Sequence, residues 1–512
     1  MTAQNDIAAG YASEGAAIEL GAVLVGGEVE PTAHVRLPLA TMNRHGLVAG
    51  ATGTGKTKTL QLMAEQLSAA GVPVVMADVK GDLSGLSRPG EPGERITARA
   101  AETGDDWQPA ACPVQFLSLG TGGAAVPVRA TVTSFGPILL AKVLGLNDTQ
   151  ESTLGLIFHW ADSRGLPLLD IKDLRSVIGH LTSDEGKADL KGLGGVSSAT
   201  AGVILRSLVN LEAQGGDTFF GEPELDPRDL MRTVGGRGVV TLLELAELQA
   251  RPALFSTFLM WLLAELFEVL PEEGDLDQPK LVFFFDEAHL LFADASKAFL
   301  ERITQTVKLI RSKGVGVFFC TQLPTDVPNA VLSQLGARVQ HALRAFTPED
   351  QAALAKAVKT YPTTPHYELD EALTSLGIGE AVVTVLSEKG APTPVAWTRL
   401  RAPRSLMDTI GVDAIKQAAG ASELHGKYAE TVDRESAYEK LTAKVAPPPA
   451  PEEASPREPE PREPERRAER EEPGVVAQVL GNSAVKSFLR SAASALGREI
   501  TRGLFGTSRK RR

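Results

Sequence analysis

The stretch "GATGTGKT", residues 50–57, follows the pattern G-x-x-x-x-G-K-[ST]. Glycines let consecutive backbone N–H groups curl around phosphate oxygens, and a helix that follows such a loop presents its positive N-terminal end. In this pattern Lys56 neutralises charge on the β- and γ-phosphates, and the Thr57 hydroxyl ligates Mg²⁺. The alternative is a glycine turn that arose by chance, and the strand and helix predicted on either side disfavour it. The stretch therefore predicts a site for ATP and Mg²⁺.

We expect consecutive residues of this loop to contact the nucleotide. They are Gly50, Ala51, Thr52, Gly53, Thr54, Gly55, Lys56, Thr57 and Lys58.

A second group with chemical potential is the acid pair of "LVFFFDEAH", Asp286 and Glu287, which follows five apolar residues. A run this apolar predicts a strand buried on both faces, which delivers the acids at its carboxyl end. There Asp286 would hold Mg²⁺ through water, and Glu287 would orient and deprotonate the attacking water. The alternative is a pair of acids that stabilise a helix N-terminus. Having both acids favours a hydrolysing motor over a small-molecule kinase, which should exclude water.

Two further side chains flank the strand predicted for "GVGVFFCTQ". Gln322 ends it, where an amide could contact both water and γ-phosphate, although a polar strand terminus is the simpler interpretation. Arg311 ends the preceding helix, where a cation is favoured in any case. The alternative for Arg311 is a residue that reaches the γ-phosphate of a neighbouring subunit. Arg338 and Arg344 compete for that role.

The elements that must position these residues predict an α/β fold. The order strand, glycine loop, helix, strand (ending at Asp78) opens a mainly parallel, doubly wound sheet. A helix is expected from about Ala295 to Ser312, with Phe299, Ile303, Val307 and Ile310 on one face. A region rich in Pro, Glu and Arg near the C-terminus cannot bury a core and should be disordered.

The predicted organisation of the chain has eight parts. They are a disordered N-terminus (1–14), a short β-rich segment (15–40), the first part of the ATPase core (41–84), a mainly helical insertion (85–235), the second part of the core (236–402), a helical extension (403–442), a disordered linker (443–474) and an amphipathic basic helix with a tail (475–512).

Composition restricts the class of protein. Of 512 residues, 43% are hydrophobic and 23% charged, which is typical of a soluble globular protein. The net charge of −12 gives no support for general nucleic-acid binding, although an acidic ring can enclose a basic channel. Cys112 and Cys320 fall in apolar runs and are expected to be buried free thiols. We expect no signal peptide and no transmembrane segment, and a cytoplasmic location.

Five stretches together resemble the HerA–FtsK superfamily of ring-forming ATPases, and more closely its bacterial HerA-like helicase C-terminal branch. They are "LVAGATGTGKT", "VVMADVKGDLSGL", "KLVFFFDEAHLLF", "LIRSKGVGVFFCTQLPTDVP" and "LGARVQHALRAFTPEDQ". The resemblance runs from about residue 15 to 402 and recurs in the final helix. It implies a RecA-like fold, a hexamer with ATP at subunit boundaries, and double-stranded DNA moved through the pore. It also implies that Gln322 is a γ-phosphate sensor and Arg311 an intersubunit finger.

Three functions stay open at this point. The first is an ATP-driven, helicase-like translocase on DNA. The second is a motor that acts on a protein complex or a secretion-type machine, with the acidic tail as the binding segment for a protein partner. The third is an NTP-dependent switch with little turnover, which Glu287 argues against. The C-terminal helix could dock on a protein groove or lie on an anionic surface.

Overall fold

The computed structural model describes residues 2–78, 80–190, 194–213, 215–244, 252–274, 276–293 and 295–445. The predicted linker beyond residue 445 and the predicted C-terminal basic helix lie outside the described residues. The described part of the chain up to Val445 forms one compact unit.

Twelve strands of the described chain form one sheet. They are β1 (Ala17–Val25), β2 (Glu28–Pro38), β3 (Gly46–Ala49), β4 (Val74–Asp78), β5 (Val114–Leu119), β6 (Val126–Val128), β9 (Val240–Glu244), β10 (Leu281–Phe285), β11 (Val315–Thr321), β12 (Ala337–Gln340), β13 (Glu380–Thr384) and β14 (Ala396–Leu400). The strands β7 (Thr233–Val234) and β8 (Arg237–Gly238) form a separate ribbon.

Across the sheet the strands lie in the order β2-β1-β14-β13-β12-β3-β11-β10-β4-β9-β5-β6. Every pair from β12 to β6 is parallel, and the four strands on the other side, β13, β14, β1 and β2, are antiparallel. This mainly parallel sheet confirms the predicted fold class. Strand β3, which leads into the glycine loop, lies between β12 and β11 and therefore near the middle of the sheet.

The helices of the described residues are α1 (Ala3–Ala9), α2 (Lys56–Ala69), α3 (Glu94–Thr103), α4 (Val132–Val143), α5 (Asp148–Ser163), α6 (Ile171–Thr182), α7 (Asp184–Asp189), α8 (Ser198–Ala213), α9 (Pro252–Val269), α10 (His289–Phe292), α11 (Lys297–Ile310), α12 (Asn329–Leu332), α13 (Pro348–Val358), α14 (Leu369–Ser375), α15 (Val412–Gly420), α16 (His425–Tyr428) and α17 (Ala437–Val445).

The central strands are buried on both faces because successive side chains point to opposite sides of a sheet. In β10, Phe283 and Phe285 join one hydrophobic core, which includes the inward faces of α4–α6, α8, α9 and α11. Phe284 joins the second core, which contains α2 and the hairpin β1–β2. The four apolar residues predicted to share one face of α11 are all buried in the first core. The sheet is therefore covered by helices on both sides.

Two local expectations differ from the structure. Residues 3–9, expected to be disordered, form α1, because Ile7 is buried and the Tyr11 hydroxyl, also buried, donates to carbonyl oxygens of Val383 and Pro394. Within the range 85–235, β5 and β6 extend the main sheet beside β9 instead of belonging to a helical insertion. Helices α4–α8 then separate β6 from β9 in the chain.

Candidate nucleotide site

The residues predicted to do chemistry follow neighbouring parallel strands. Gly50 follows β3, Gln322 follows β11, Asp286 follows β10, and Asp78 ends β4. These four strands are adjacent in the order β3-β11-β10-β4. Since the carboxyl ends of parallel strands meet at one edge, the loop and the acids share that edge. There the Ala288 N–H donates to Cys320 O at 2.8 Å, and the Gly50 N–H donates to Thr321 O at 3.2 Å.

The loop has the conformation that its glycines permit. Gly50, Gly53 and Gly55 have φ values of +154°, +80° and +111°, in a region that side chains disfavour. Within the described residues, nothing accepts a hydrogen bond from the N–H groups of Thr52, Gly53 or Gly55. The Lys56 ammonium crosses the loop and donates to Gly50 O at 2.6 Å and Ala51 O at 3.1 Å. The loop therefore offers backbone donors and one cation, as an anion cradle requires.

His341 supports the loop from behind and was not singled out in the sequence. Its ring nitrogen Nε2 lies 2.9 Å from the Thr59 hydroxyl, and its backbone N–H donates to Ala49 O at 2.7 Å. Burial lowers the pKa of His341 to about 4, and the nearby Lys56 ammonium acts in the same direction, so the imidazole is neutral. A Cβ added at Gly50 would lie 2.5 Å from the His341 Cβ. The only sequence signal for this residue is its position directly after β12.

The acid pair lies at the carboxyl end of β10, as predicted. Asp286 is buried, and its Oδ1 accepts the Glu287 N–H at 2.9 Å. Burial raises the pKa of the Asp286 carboxyl, and the negative charge of Glu287 raises it further. Glu287 has a φ of +49°, an uncommon value for a residue with a side chain, and such strain is concentrated at functional sites.

Cys320, on β11, lies between the acid pair and the loop lysine. Both cysteines are free and buried, as predicted. Burial raises the pKa of the Cys320 thiol, the neighbouring Asp286 carboxylate raises it further, and the Lys56 ammonium lowers it. Strand β11 pairs with β10, which the acid pair follows, on one side and with β3, which leads into the loop, on the other.

The Glu287 carboxylate contacts two further side chains. Its Oε1 lies 3.1 Å from the ammonium of Lys80, and its Oε2 lies 3.4 Å from Nδ1 of His289. The Glu287 side chain is only 15% exposed. Lys80 follows β4 and was not predicted to reach the site. In the sequence, His289 follows Glu287 by two residues.

Asp78, whose role the sequence left open, builds a turn. Its Oδ1 accepts the N–H groups of Gly81 and Asp82 at 2.7 and 3.2 Å, and its Oδ2 accepts the N–H of Leu83 at 3.0 Å. Burial raises the pKa of Asp78 to about 6. Both oxygens of Asp78 are thus engaged by the backbone of the segment that follows β4.

Gln322 is exposed directly after β11, between the loop strand and the acid strand. The backbone around it is fixed by Asp326, whose Oδ2 accepts the Thr321 hydroxyl at 2.6 Å and the Leu323 N–H at 2.9 Å. The structure therefore brings Gln322 to the same edge as the loop and the acids.

The three arginines separate into two groups. Arg311 and Arg338 line a pocket of about 640 Å³ together with Arg44 and Lys308. No acidic side chain of the described chain lines this pocket, which lies at the amino ends of β3, β11 and β12, opposite the loop. The guanidinium of Arg344 instead donates to the Thr52 carbonyl of the loop at 3.3 Å.

Lys58 points away from the loop. Its ammonium donates to Met407 O at 2.9 Å and to the Gln61 side chain at 3.2 Å. The structure thus brings together the loop, Lys56, Asp286, Glu287 and Gln322, and it leaves Arg311 and the Lys58 ammonium elsewhere.

The residues present suit a magnesium triphosphate. Mg²⁺ is usually held by one or two protein oxygens together with phosphate oxygens and water. Thr57 in the first turn of α2 and Asp286, which has one oxygen outside the bond to Glu287, can supply those oxygens.

The fold and the edge described above define a RecA-like P-loop NTPase. The helicase HerA-like C-terminal family matches residues 25–512, and the chain belongs to that family.

Solved structures show the same fold at low identity. The bacterial conjugative coupling protein TrwBΔN70 is 16% identical, with a TM-score of 0.51 over 80% of this chain and 95% of that chain. TrwB in complex with ADP and Mg²⁺ is 15% identical, with a TM-score of 0.51 over 78% and 99%. VirB4 of Thermoanaerobacter pseudethanolicus is 15% identical, with a TM-score of 0.50 over 76% and 98%. No curated protein matches the chain.

None of the described helices combines the length and apolar character that crossing a bilayer requires.

Proposed function

We propose that this protein is an ATP-hydrolysing ring motor that acts on DNA. The observation that carries the proposal is the placement of a glycine cradle with Lys56 and of an acid pair at the carboxyl ends of β3 and β10, the two strands on either side of β11. TrwB has been solved with ADP and Mg²⁺ and with an ATP analogue. ATP and Mg²⁺ are accordingly the proposed cofactors.

Each residue at the edge has a task in hydrolysis. The loop N–H groups and Lys56 bind the phosphates, and bound Mg²⁺ would neutralise charge that develops in the transition state. Thr57 and Asp286 supply the oxygens that hold the metal. Glu287 accepts a proton from the attacking water, and Gln322 orients that water toward the phosphate.

The positions of the arginines are consistent with a ring of identical subunits. The family resemblance implies that this ring is a hexamer. Arg311 and Arg338 lie at the edge opposite their own loop, so they can serve only a nucleotide held by another copy. Arg344 contacts the loop of its own chain and serves there.

DNA is the first substrate to test because TrwB is described as a conjugative coupling protein and the family as helicase-like. The second candidate is a protein complex. The net charge of −12 of the whole chain repels a polyanion, which favours a protein partner.

The test of hydrolysis compares wild type with Glu287→Gln. The variant should bind a fluorescent ATP analogue as tightly as wild type, while kcat falls by about 10²-fold or more. Thr325→Ala, at an exposed position near the same edge, is a control for general disturbance. Full hydrolysis by Glu287→Gln would refute the assignment of Glu287.

The test of substrate measures the ATPase rate with double-stranded DNA, single-stranded DNA and no polymer, with the mass of the assembly determined on the same sample. Stimulation by DNA supports the translocase. A hexamer whose ATPase rate is the same with every form of DNA contradicts the translocase. If a chain that ends at Val445 then no longer captures the proteins that the full chain captures, the protein motor is favoured.

A further inference from the structure

Lys80 occupies a fixed position beside the acid pair. It lies in the segment after β4, and Asp78 anchors that segment through three backbone N–H groups, those of Gly81, Asp82 and Leu83. Strand β4 pairs with β10 in parallel, with Met76 opposite Phe284. The turn that carries Lys80 is therefore held next to the strand end that carries Glu287.

The contact between Lys80 and Glu287 joins two unequally exposed groups. The Glu287 side chain is 15% exposed and the Lys80 side chain 46% exposed, and their charged atoms lie 3.1 Å apart. Asp286 is buried directly beside Glu287, so two carboxylates share a confined space. Like charges in such a space repel, and a nearby cation offsets that repulsion. Lys80 is the cation that touches the more accessible acid.

Glu287 has a neighbour on its other side as well. His289 faces the second carboxylate oxygen at 3.4 Å, and the backbone of Glu287 has a φ of +49°. An uncommon backbone conformation persists only where the surroundings determine it. The carboxylate thus lies between the Lys80 ammonium, from the segment after β4, and the His289 ring, and of these two contacts the ion pair with Lys80 is the closer.

We propose that Lys80 is the positioning residue for Glu287. The ammonium holds the carboxylate in one direction, beside Asp286 and across from the loop, so that the proton acceptor is in place when water and nucleotide arrive. Lys80 does not touch the nucleotide in this role. This inference rests on the proposed function of Glu287, and it predicts that losing Lys80 slows turnover without weakening nucleotide binding.

The experiment uses the full chain with Lys80→Met, which keeps the length of the side chain and removes the charge. We expect kcat to fall by about tenfold to a hundredfold, because small displacements of a catalytic group cost factors of this size. KM and the affinity for a fluorescent ADP analogue should stay within about twofold of wild type. Lys80→Arg, which keeps the charge, should restore most of kcat. Lys297→Met is the matched control, because Lys297 is 90% exposed and its ion-pair partner is Glu301, which is not one of the two acids of the pair.

A second measurement does not depend on activity. Hydrogen–deuterium exchange of residues 281–292, in nucleotide-free protein, should increase in Lys80→Met and stay at the wild-type level in Lys297→Met, because only the first variant releases Glu287.

The proposal is overturned if kcat of Lys80→Met stays within about twofold of wild type, or if nucleotide affinity falls in parallel with kcat. It is also overturned if kcat of Lys80→Arg is as low as that of Lys80→Met while hydrogen–deuterium exchange outside residues 281–292 is unchanged. If Glu287→Gln hydrolyses ATP normally, the proposed function fails instead, and the exchange measurement still decides whether Lys80 restrains Glu287.

Discussion

The position of Arg311 leads to a prediction about how subunits cooperate. Arg311 directly follows α11 and precedes β11, whereas Gln322 follows the other end of the same strand. Strand β11 has seven residues, which at the usual rise separates its two ends by about 20 Å. An arginine side chain cannot cover that distance around the sheet. If Arg311 contributes to hydrolysis, it must therefore act on the nucleotide of another subunit.

Mixing two inactive variants tests this directly. Lys56→Ala removes the loop lysine, and Arg311→Ala removes the trans arginine, which is worth about 10³-fold or more in related phosphoryl transfers. Each active interface needs an intact Lys56 from one subunit and an intact Arg311 from its neighbour. In a mixed ring this occurs where an Arg311→Ala subunit supplies the loop and a Lys56→Ala subunit supplies the arginine. For random assembly of equal amounts, about one quarter of the interfaces meet this condition. The mixture should recover about one quarter of the wild-type ATPase rate if the interfaces act independently.

Arg344 supplies the contrast, because it contacts its own loop through Thr52. Mixing Arg344→Ala with Lys56→Ala should restore nothing, since each loop then lacks either its lysine or its own arginine. The reasoning is refuted if the Arg311→Ala mixture stays as inactive as its parents in a sample whose mass shows assembled rings. Recovery in the Arg344→Ala mixture would equally contradict the assignment of Arg344 to its own loop.

Two further predictions concern the loop and its helix. Gly50→Ala should weaken binding of a fluorescent nucleotide at least about tenfold, because the new Cβ would lie 2.5 Å from the His341 Cβ and displace the loop. Gly26→Ala, where a Cβ meets nothing within 4 Å, introduces a similar left-handed strain without the clash and should leave binding unchanged. Burial raises the pKa of Glu65 on α2 from 4.5 to about 7, so the fold favours the protonated carboxyl. The free energy of unfolding should therefore fall by about 3 kcal/mol through this group as pH rises from roughly 4.5 to 7. The difference between wild type and Glu65→Gln in urea unfolding at pH 5 and pH 8 measures that dependence; a difference that does not change with pH would contradict it.

The fold class could be predicted because the central strands are apolar on both sides. In β10 the alternate phenylalanines lie in different hydrophobic cores, one on each face of the sheet. For this reason "LVFFF" could be interpreted as a buried parallel strand. The loop could be predicted because its glycines and lysine carry their chemistry in consecutive residues. The acid pair could be predicted because it immediately follows such a strand. In each case the information lies within a dozen residues of chain.

The contacts that could not be predicted are those that depend on which strands lie next to each other in the sheet. Lys80 and Glu287 are about two hundred positions apart, and they meet because β10 pairs with β4. The order of strands in a sheet is set by the packing of the whole chain, and no local pattern encodes it. His341 was missed for the same reason, since its support of the loop depends on β12 pairing with β3. Helix α1 was missed because one buried isoleucine and Tyr11 stabilise it through distant partners.

Asp78 and Asp286, two acids at this edge of the sheet, differ in their capacity to bind a metal ion. The difference follows from the hydrogen bonds that each carboxylate accepts. Asp78 uses both carboxylate oxygens for three backbone N–H groups, so recruiting it to a metal would break the turn that carries Lys80. Asp286 accepts one backbone N–H, that of Glu287. Burial raises the pKa of both groups, so a raised pKa does not distinguish a metal ligand from a structural acid. The distinction comes from the backbone: an acid that accepts three backbone N–H groups shapes the turn, and an acid that accepts only one, beside a cradle of N–H groups, keeps capacity for a metal ion.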